Sequence, residues 1–158
     1  MREMREILFR GQTRRYGEKV RMGNGEKLPS RWVYGGVLQG IGSYSIIYGG
    51  ENANDPGENL SKWCVYTDTL DQFVGFTDRN GVKVFEGDIV ARSGKRYVIA
   101  WDPRRLCFCA VSKQNEWHPL SLTHDPVTDL AVIGNMHDSP WLLQGGIEDD
   151  AELVAQGE

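Results

Sequence analysis

The chain has 158 residues, of which 40% are apolar and 25% are charged, and it contains nineteen glycines and five tryptophans. This composition is typical of a globular protein with many turns and excludes a disordered chain. A chain of this length buries about 70% of its extended surface on folding, so neither disulfide bonds nor a structural metal is needed for stability.

The net charge of −4 is unevenly distributed along the sequence. Residues 1–31 carry a net charge of +5 and residues 32–158 a net charge of −9, and the last fifteen residues hold five acids and no base. The asymmetry permits a local contact with a polyanion but does not require one.

Cysteine usage and apolar patterning indicate a cytoplasmic protein. The three cysteines, Cys64, Cys107 and Cys109, form an odd set, which favours a reducing compartment. The first ten residues, MREMREILFR, lack the apolar core of a secretory signal. No apolar run approaches the ~20 residues that span a bilayer.

The N-terminal half predicts β-structure, because β-branched and aromatic residues fit a pleated surface. A hairpin is expected from residues 6–10 and 18–22, with a turn at Gly17. Further strands are expected at residues 31–39, 43–49 and 62–68.

The central segment GFTDRNGVKVFEGDIV, residues 75–90, contains two turn signals. Asn80-Gly81 separates the predicted strands 72–77 and 82–85, and it tolerates the positive φ of a tight hairpin. Asp78, two residues earlier, can accept backbone N–H bonds. The three acids of this segment are therefore interpreted as turn residues rather than catalytic carboxylates; they are Asp78, Glu86 and Asp88.

The second turn, at Glu86-Gly87, precedes five short strands. Gly87 allows a sharp bend, and Asp88 begins the first of the five strands. Strands are predicted at residues 88–92, 96–101, 106–112, 116–122 and 130–136. Five short, bent strands favour a small closed barrel, because closure removes exposed edges. The Gly-Asp entry resembles the start of the first strand of SH3-like barrels.

The C-terminal segment predicts a short helical turn and then an acidic tail. Ser139 can cap a helix, and Pro140 suits the first helical position, where no N–H is needed. Residues 147–158 are interpreted either as a short acidic helix or as a frayed tail.

The order of these segments resembles the YopX family of bacteriophage and prophage proteins. The resemblance covers residues 4–143 and is carried by REILFRG, GGVLQGIGSYSII, GFTDRNGVKVFEGDIV, VIAWD and VIGNMHDSPWLL. The chain departs from the family at DQFVGFT and DSPWLL, where the family reads closer to GQYTGL and ENPELL. Both departures preserve the character of a strand or a helix start.

The resemblance implies a mainly β protein whose C-terminal half is an SH3-like barrel, and it implies a phage or prophage origin. It implies no catalytic residue. We therefore expect an N-terminal irregular β region at 1–70, a barrel at 71–143 and an acidic tail at 144–158, in the cytoplasm of a bacterial host.

Metal and nucleophile sites receive little support from the sequence. Cys107 and Cys109 share a strand face and could begin a zinc site with His118, but no second ligand pair with the usual spacing follows. No signature of a cysteine nucleophile surrounds any thiol, and no phosphate-binding loop is present. We expect neither a cofactor nor an enzymatic activity.

Basic and aromatic residues of the second half are the candidate binding residues. The basic ones fall in the two connections at the ends of the predicted strand 96–101, and the two tryptophans could serve as stacking platforms. The set is Arg92, Lys95, Arg96, Trp101, Arg104, Arg105 and Trp117. A second basic group lies near the N-terminus: Arg2, Arg5, Arg10, Arg14, Arg15 and Arg21.

The sequence favours a phage accessory protein that binds a protein partner of host or phage. Self-association through Trp- and Tyr-rich surfaces is a further form of the same hypothesis. The alternative is a nucleic-acid-binding accessory protein that uses the basic loops. No membrane partner is expected. The turn interpretation further predicts that Gly81→Val destabilises the fold more than Asp78→Ala, because a β-branched side chain opposes positive φ.

Overall fold

The computed structural model describes residues 4–15, 17–18, 31–58, 60–112, 120–122 and 129–143. The chain divides into two compact units, residues 1–73 and 74–158, and the boundary falls within a strand. The sequence indicated a boundary three residues earlier, at 70/71. The predicted acidic tail at 144–158 lies outside the described residues.

The first unit is an antiparallel sheet with the strand order β4-β3-β2-β1, to which the start of β5 is added beside β1. A 3₁₀ turn at Thr67–Thr69 joins β4 to β5. The strands are β1 Phe9–Gln12, β2 Trp32–Leu38, β3 Tyr44–Gly50, β4 Ser61–Tyr66 and β5 Asp71–Thr77.

Alternation along the strands places the core of this unit on one face of the sheet. Val33, Ile47 and Val65 are fully buried there, from three neighbouring strands. Partly buried apolar side chains pack around them: Phe9, Val37, Trp63 and Leu70.

Strand β1 has partners that its local sequence does not indicate. Phe9 and Arg10 pair with β2 on one side and with β5 on the other. Because both edges of β1 are occupied at these residues, neither is left to pair with the second arm of the predicted hairpin, of which residues 19–22 lie outside the described residues. The buried Arg10 guanidinium forms an ion pair with Asp71 at 3.0 Å and lies 4.6 Å from the ring centre of Trp32.

Strands β2 and β3 leave no room for a Cβ atom where Gly35 faces Gly49. A Cβ atom built on Gly49 would lie 1.9 Å from the carbonyl oxygen of Tyr34. Backbone cannot move away as a flexible side chain can, so the position requires glycine. A Cβ atom on Gly36, in the same strand pair, meets nothing within 4 Å.

The second unit contains the rest of β5, the short strand β6 beside it, and a five-stranded antiparallel sheet with the order β10-β9-β8-β7-β11. The strands are β6 Lys83–Phe85, β7 Asp88–Arg92, β8 Lys95–Asp102, β9 Cys107–Val111, β10 Leu120–Ser121 and β11 Ala131–Asn135. A 3₁₀ turn spans Pro140–Leu143. The buried core comprises Val84, Val90, Tyr97, Ile99, Ala110 and Leu130.

The closed barrel expected from the sequence is not present in the part of the chain that the structure describes. The five-stranded sheet is open, with β10 and β11 as its outer strands, and no described pairing joins them. Of the predicted strand 116–122, residues 116–119 lie outside the described residues, and Leu120–Ser121 form β10.

We predict that Gly49→Ala lowers the free energy of unfolding by about 2 kcal/mol or more, because the added methyl group forces β2 and β3 apart. Gly36→Ala is the matched control and should stay within ~0.5 kcal/mol of the wild type. Urea denaturation of both variants measures the difference. Equal stabilities would contradict the close approach.

Candidate interaction surfaces and central carboxylates

The Asp78 carboxylate is buried and is occupied by backbone donors. Its Oδ1 atom accepts the N–H groups of Asn80 at 2.8 Å and Val82 at 2.9 Å, which close the turn after β5. Its Oδ2 atom accepts the N–H group of Val132 in β11 at 2.8 Å. Asp78 is 5% exposed, so these three bonds replace the water that the carboxylate loses.

Backbone bonds close the same turn. The N–H of Asp78 donates to the carbonyl of Val82, and the N–H of Gly81 donates to the carbonyl of Asp78. Gly81 has φ +80°, where a Cβ atom is strained, although one built there meets nothing within 4 Å. Asn80 and Gly81 therefore lie in the tight turn between β5 and β6.

The Asp88 carboxylate performs a similar task at the next turn. It is 2% exposed, and its Oδ2 atom accepts the N–H group of Phe85 at 2.8 Å. Gly87, with φ +82°, donates its N–H to Ile99 and accepts the N–H of Met136. Together these bonds attach the β6–β7 turn to two other elements, strand β8 and the end of strand β11.

Asp78 and Asp88 thus lie at chain reversals, and Glu86 lies in the turn between β6 and β7. Among the described residues, no group of three His, Cys, Asp or Glu side chains is arranged to hold a metal ion. His118, which the sequence offered as a zinc ligand beside Cys107 and Cys109, lies outside the described residues.

The thiols differ in accessibility. Cys64 and Cys107 are exposed, whereas Cys109 is buried. Burial, and to a smaller extent the charge of Asp102, raises the pKa of the Cys109 thiol. A raised pKa keeps the thiol protonated at neutral pH, where it is a poor nucleophile.

The sequence-predicted basic residues of the second unit fall into two groups at opposite ends of β8. Arg92 pairs with Lys95 at one end, and Asp102 pairs with Cys107 at the other. The eight residues of β8 span about 23 Å. Arg92, Lys95 and Arg96 are therefore not brought together with Arg104 and Arg105.

The two groups also differ in exposure. Arg96 is partly buried and donates from Nη1 to the carbonyl of Leu142. Arg104 and Arg105 are exposed in the β8–β9 turn, and Trp101 is 46% exposed at the end of β8. Trp117, the remaining candidate, lies outside the described residues.

The N-terminal basic group is not a continuous cationic surface within the described chain. Arg10 is buried against Asp71, and Arg15 forms an ion pair with Asp68 at 2.9 Å. Arg2 and Arg21 lie outside the described residues.

A further candidate surface, whose residues the sequence pattern does not identify, is the outer face of the first sheet. Strand register and alternation place these side chains opposite the core face: Trp32, Tyr34, Leu38, Tyr44, Ile46, Tyr48, Cys64 and Tyr66. Leu38 and Tyr44 are each 59% exposed, and Tyr48 is 44% exposed. Ile41 is fully exposed in the turn between β2 and β3. We call this set, with Ile41, the outer aromatic face.

One end of the outer aromatic face carries an ordered polar cluster. The Tyr66 hydroxyl donates to Glu18 at 2.9 Å, and the Arg15 guanidinium lies 4.2 Å from the centre of the Tyr66 ring. Tyr44 packs on Tyr66 with ring centres 5.4 Å apart. The hydrogen bond to Glu18 raises the pKa of Tyr66. The pKa of Glu18 is lowered, mainly by the hydrogen bond from the Arg15 backbone N–H and to a smaller extent by the bond from Tyr66.

We predict that Asp78→Ala destabilises the protein more than Gly81→Val, the reverse of the order expected from sequence. Removal of the carboxylate leaves three N–H groups without their acceptor, which costs about 3 kcal/mol or more. Valine at Gly81 meets no neighbouring atom, and its positive φ costs about 1–2 kcal/mol. Thermal and urea unfolding of both variants measure the loss in the free energy of unfolding that each substitution causes. A larger loss in Gly81→Val would contradict this ranking.

We predict that two thiols react rapidly with Ellman's reagent at pH 8 in the native protein. Cys64 and Cys107 are exposed, whereas Cys109 is shielded and has a raised pKa. Cys109→Ala should leave the rapid phase unchanged, while Cys107→Ala should remove half of it. Rapid reaction of all three thiols would contradict the burial of Cys109.

Comparison with known proteins identifies the family. The sequence model of the family described as "YopX protein" matches residues 27–144, about three quarters of the chain. No curated protein matches the sequence. Within the described residues, no helix has the length and apolarity to cross a bilayer. The family match spans the sheet strands from β2 to β11, and the chain belongs to the YopX family.

Proposed function

We propose that the protein is a non-enzymatic interaction module that binds a protein partner through its outer aromatic face. The observation that supports this function is the row of exposed Leu38, Tyr44 and Tyr48 on the side of the sheet opposite its core. The fold buries Val33, Ile47 and Val65 on the other side and does not need these side chains for its core.

The chemistry of the face suits protein recognition. Tyrosine and tryptophan contribute large contact areas and are enriched among the residues that dominate binding energy. Soluble monomers rarely expose a large contiguous apolar patch, and where one occurs it commonly marks a binding site. The cluster of Arg15, Glu18 and Tyr66 orders one edge of the face before a partner arrives.

The biological setting belongs to the same proposal. Family resemblance supports a phage or prophage accessory protein that acts in the cytoplasm of a bacterial host, on a host or phage protein. A second copy of the chain is one such partner. The carboxylates at Asp78 and Asp88 are occupied by backbone donors, which supports a role without catalysis.

We also propose that the second unit is a variant of the SH3-like arrangement. Four consecutive strands, β7 to β10, form a meander, and the last strand, β11, returns to pair with the first. One further pairing, between β10 and β11, would close this order into a five-stranded barrel.

Nucleic-acid binding is the second candidate function. Exposed Trp101 lies on the same hairpin as Arg104 and Arg105, a combination that suits base stacking with phosphate contacts. The separation of these residues from Arg92 and Lys95 favours a protein partner instead, because a strand of nucleic acid needs a continuous cationic path.

Affinity capture from a prophage-bearing bacterial lysate tests the proposed function. The wild type should retain a protein partner at high salt, because an apolar contact is weakly screened. The double variant Tyr44→Ser with Tyr48→Ser should lose that partner while its melting temperature is preserved. The matched control, Ile7→Ser with Met136→Ser, removes exposed apolar side chains from other surfaces and should retain it.

Two outcomes would contradict the proposal. One is retention of every captured protein by the double variant. The other is recovery of nucleic acid alone, with binding that falls steeply as salt rises.

A further inference from the structure

We infer that the β8–β9 hairpin carries a second binding site, which takes a peptide segment with carboxylates around an apolar side chain. We call the site the basic tip, and it consists of Trp101, Arg104, Arg105, Leu106 and Phe108. It lies in the second unit and shares no residue with the outer aromatic face, so it is independent of the proposed function.

The backbone of the basic tip is fixed by one carboxylate. Asp102 Oδ1 accepts the N–H of Arg104 at 2.9 Å and that of Arg105 at 3.4 Å. Asp102 is paired across the hairpin with Cys107. A tip that is held in this way loses little conformational freedom when a partner binds.

Leu106 is the unusual residue of the tip. It has φ +56°, a conformation that glycine or asparagine adopts more readily than leucine does. The side chain is nevertheless 73% exposed and contributes little to the core. A strained and exposed leucine at a tight turn points to a contact outside the chain, since folding alone would favour a turn residue.

An aromatic pair supplies the base of the site. Trp101 and Phe108 are directly opposite each other on β8 and β9, with ring centres 5.2 Å apart and planes at 73°. Trp101 keeps 46% of its surface exposed. Tryptophan that is fixed by a neighbouring ring is a low-entropy anchor for an apolar side chain.

The charge of the tip defines the partner. Among the described residues, no carboxylate forms an ion pair with the exposed Arg104, and Arg105 lies 3.6 Å from the Asp102 carboxylate. Arginines in this setting suit bidentate contacts with carboxylates. Leu106 beside them favours an acidic peptide over nucleic acid, because an aliphatic side chain gains nothing from phosphate.

The probe for this site is a random dodecapeptide library displayed on phage and selected against the full-length protein. We expect selected peptides to combine acidic residues with at least one large apolar residue. A fluorescein-labelled selected peptide should bind at least tenfold more weakly to Leu106→Asn and to Arg104→Gln with Arg105→Gln, about 1.4 kcal/mol each. Lys95→Gln and Ile7→Asn are controls for charge and for exposed apolar surface, and both should bind like the wild type.

Thermal unfolding separates binding from structure. Leu106→Asn should melt at or above the wild-type temperature, because asparagine tolerates positive φ better than leucine. The inference is overturned if no acidic peptide is selected, if the tip variants bind as well as the wild type, or if weaker binding accompanies a lower melting temperature. Displacement of the peptide by a dodecathymidylate at stoichiometric concentration would also overturn it, since the tip would then prefer nucleic acid.

Discussion

The second unit depends on one buried carboxylate. Asp78 accepts three backbone N–H groups, two within its own turn and one from Val132, which lies 54 residues later in the chain. A buried carboxylate without donors would cost several kcal/mol. The turn after β5 and the position of β11 are therefore specified together. Asp88 accepts the N–H of Phe85 at the following turn, so both aspartates at the centre of the sequence maintain structure.

Local turn chemistry could be predicted from the sequence, whereas its long-range consequences could not. Asn80, Gly81 and Gly87 carry their conformational preferences in their own residue type, and the structure places them in turns. The bond from Val132 to Asp78 joins distant segments, and no nearby pattern announces it. The pairing of β1 with β2 and β5 has the same character, because both partners lie twenty or more residues away in the sequence.

The candidate surfaces illustrate the same limit. In β3, exposed tyrosines alternate with buried Ser45 and Ile47, so both faces look compatible with a core. Periodicity alone cannot tell which apolar face is covered. The tyrosine content suggested interaction, but only the register places Tyr44, Tyr48 and Leu38 on one side. The separation of the basic residues around β8 could, by contrast, be predicted, because they fall in the connections at opposite ends of the predicted strand 96–101.

Amide hydrogen exchange followed by NMR tests the structural role of Asp78 most directly. In the wild type, the N–H groups of Val82 and Val132 should exchange slowly, because both donate to the buried carboxylate. In Asp78→Ala, at a temperature where the protein remains folded, both should exchange about tenfold faster or more, while Ile47 in the first unit keeps its protection. Unchanged exchange at Val82 and Val132 would contradict the account, since the carboxylate would then hold neither the turn nor the strand.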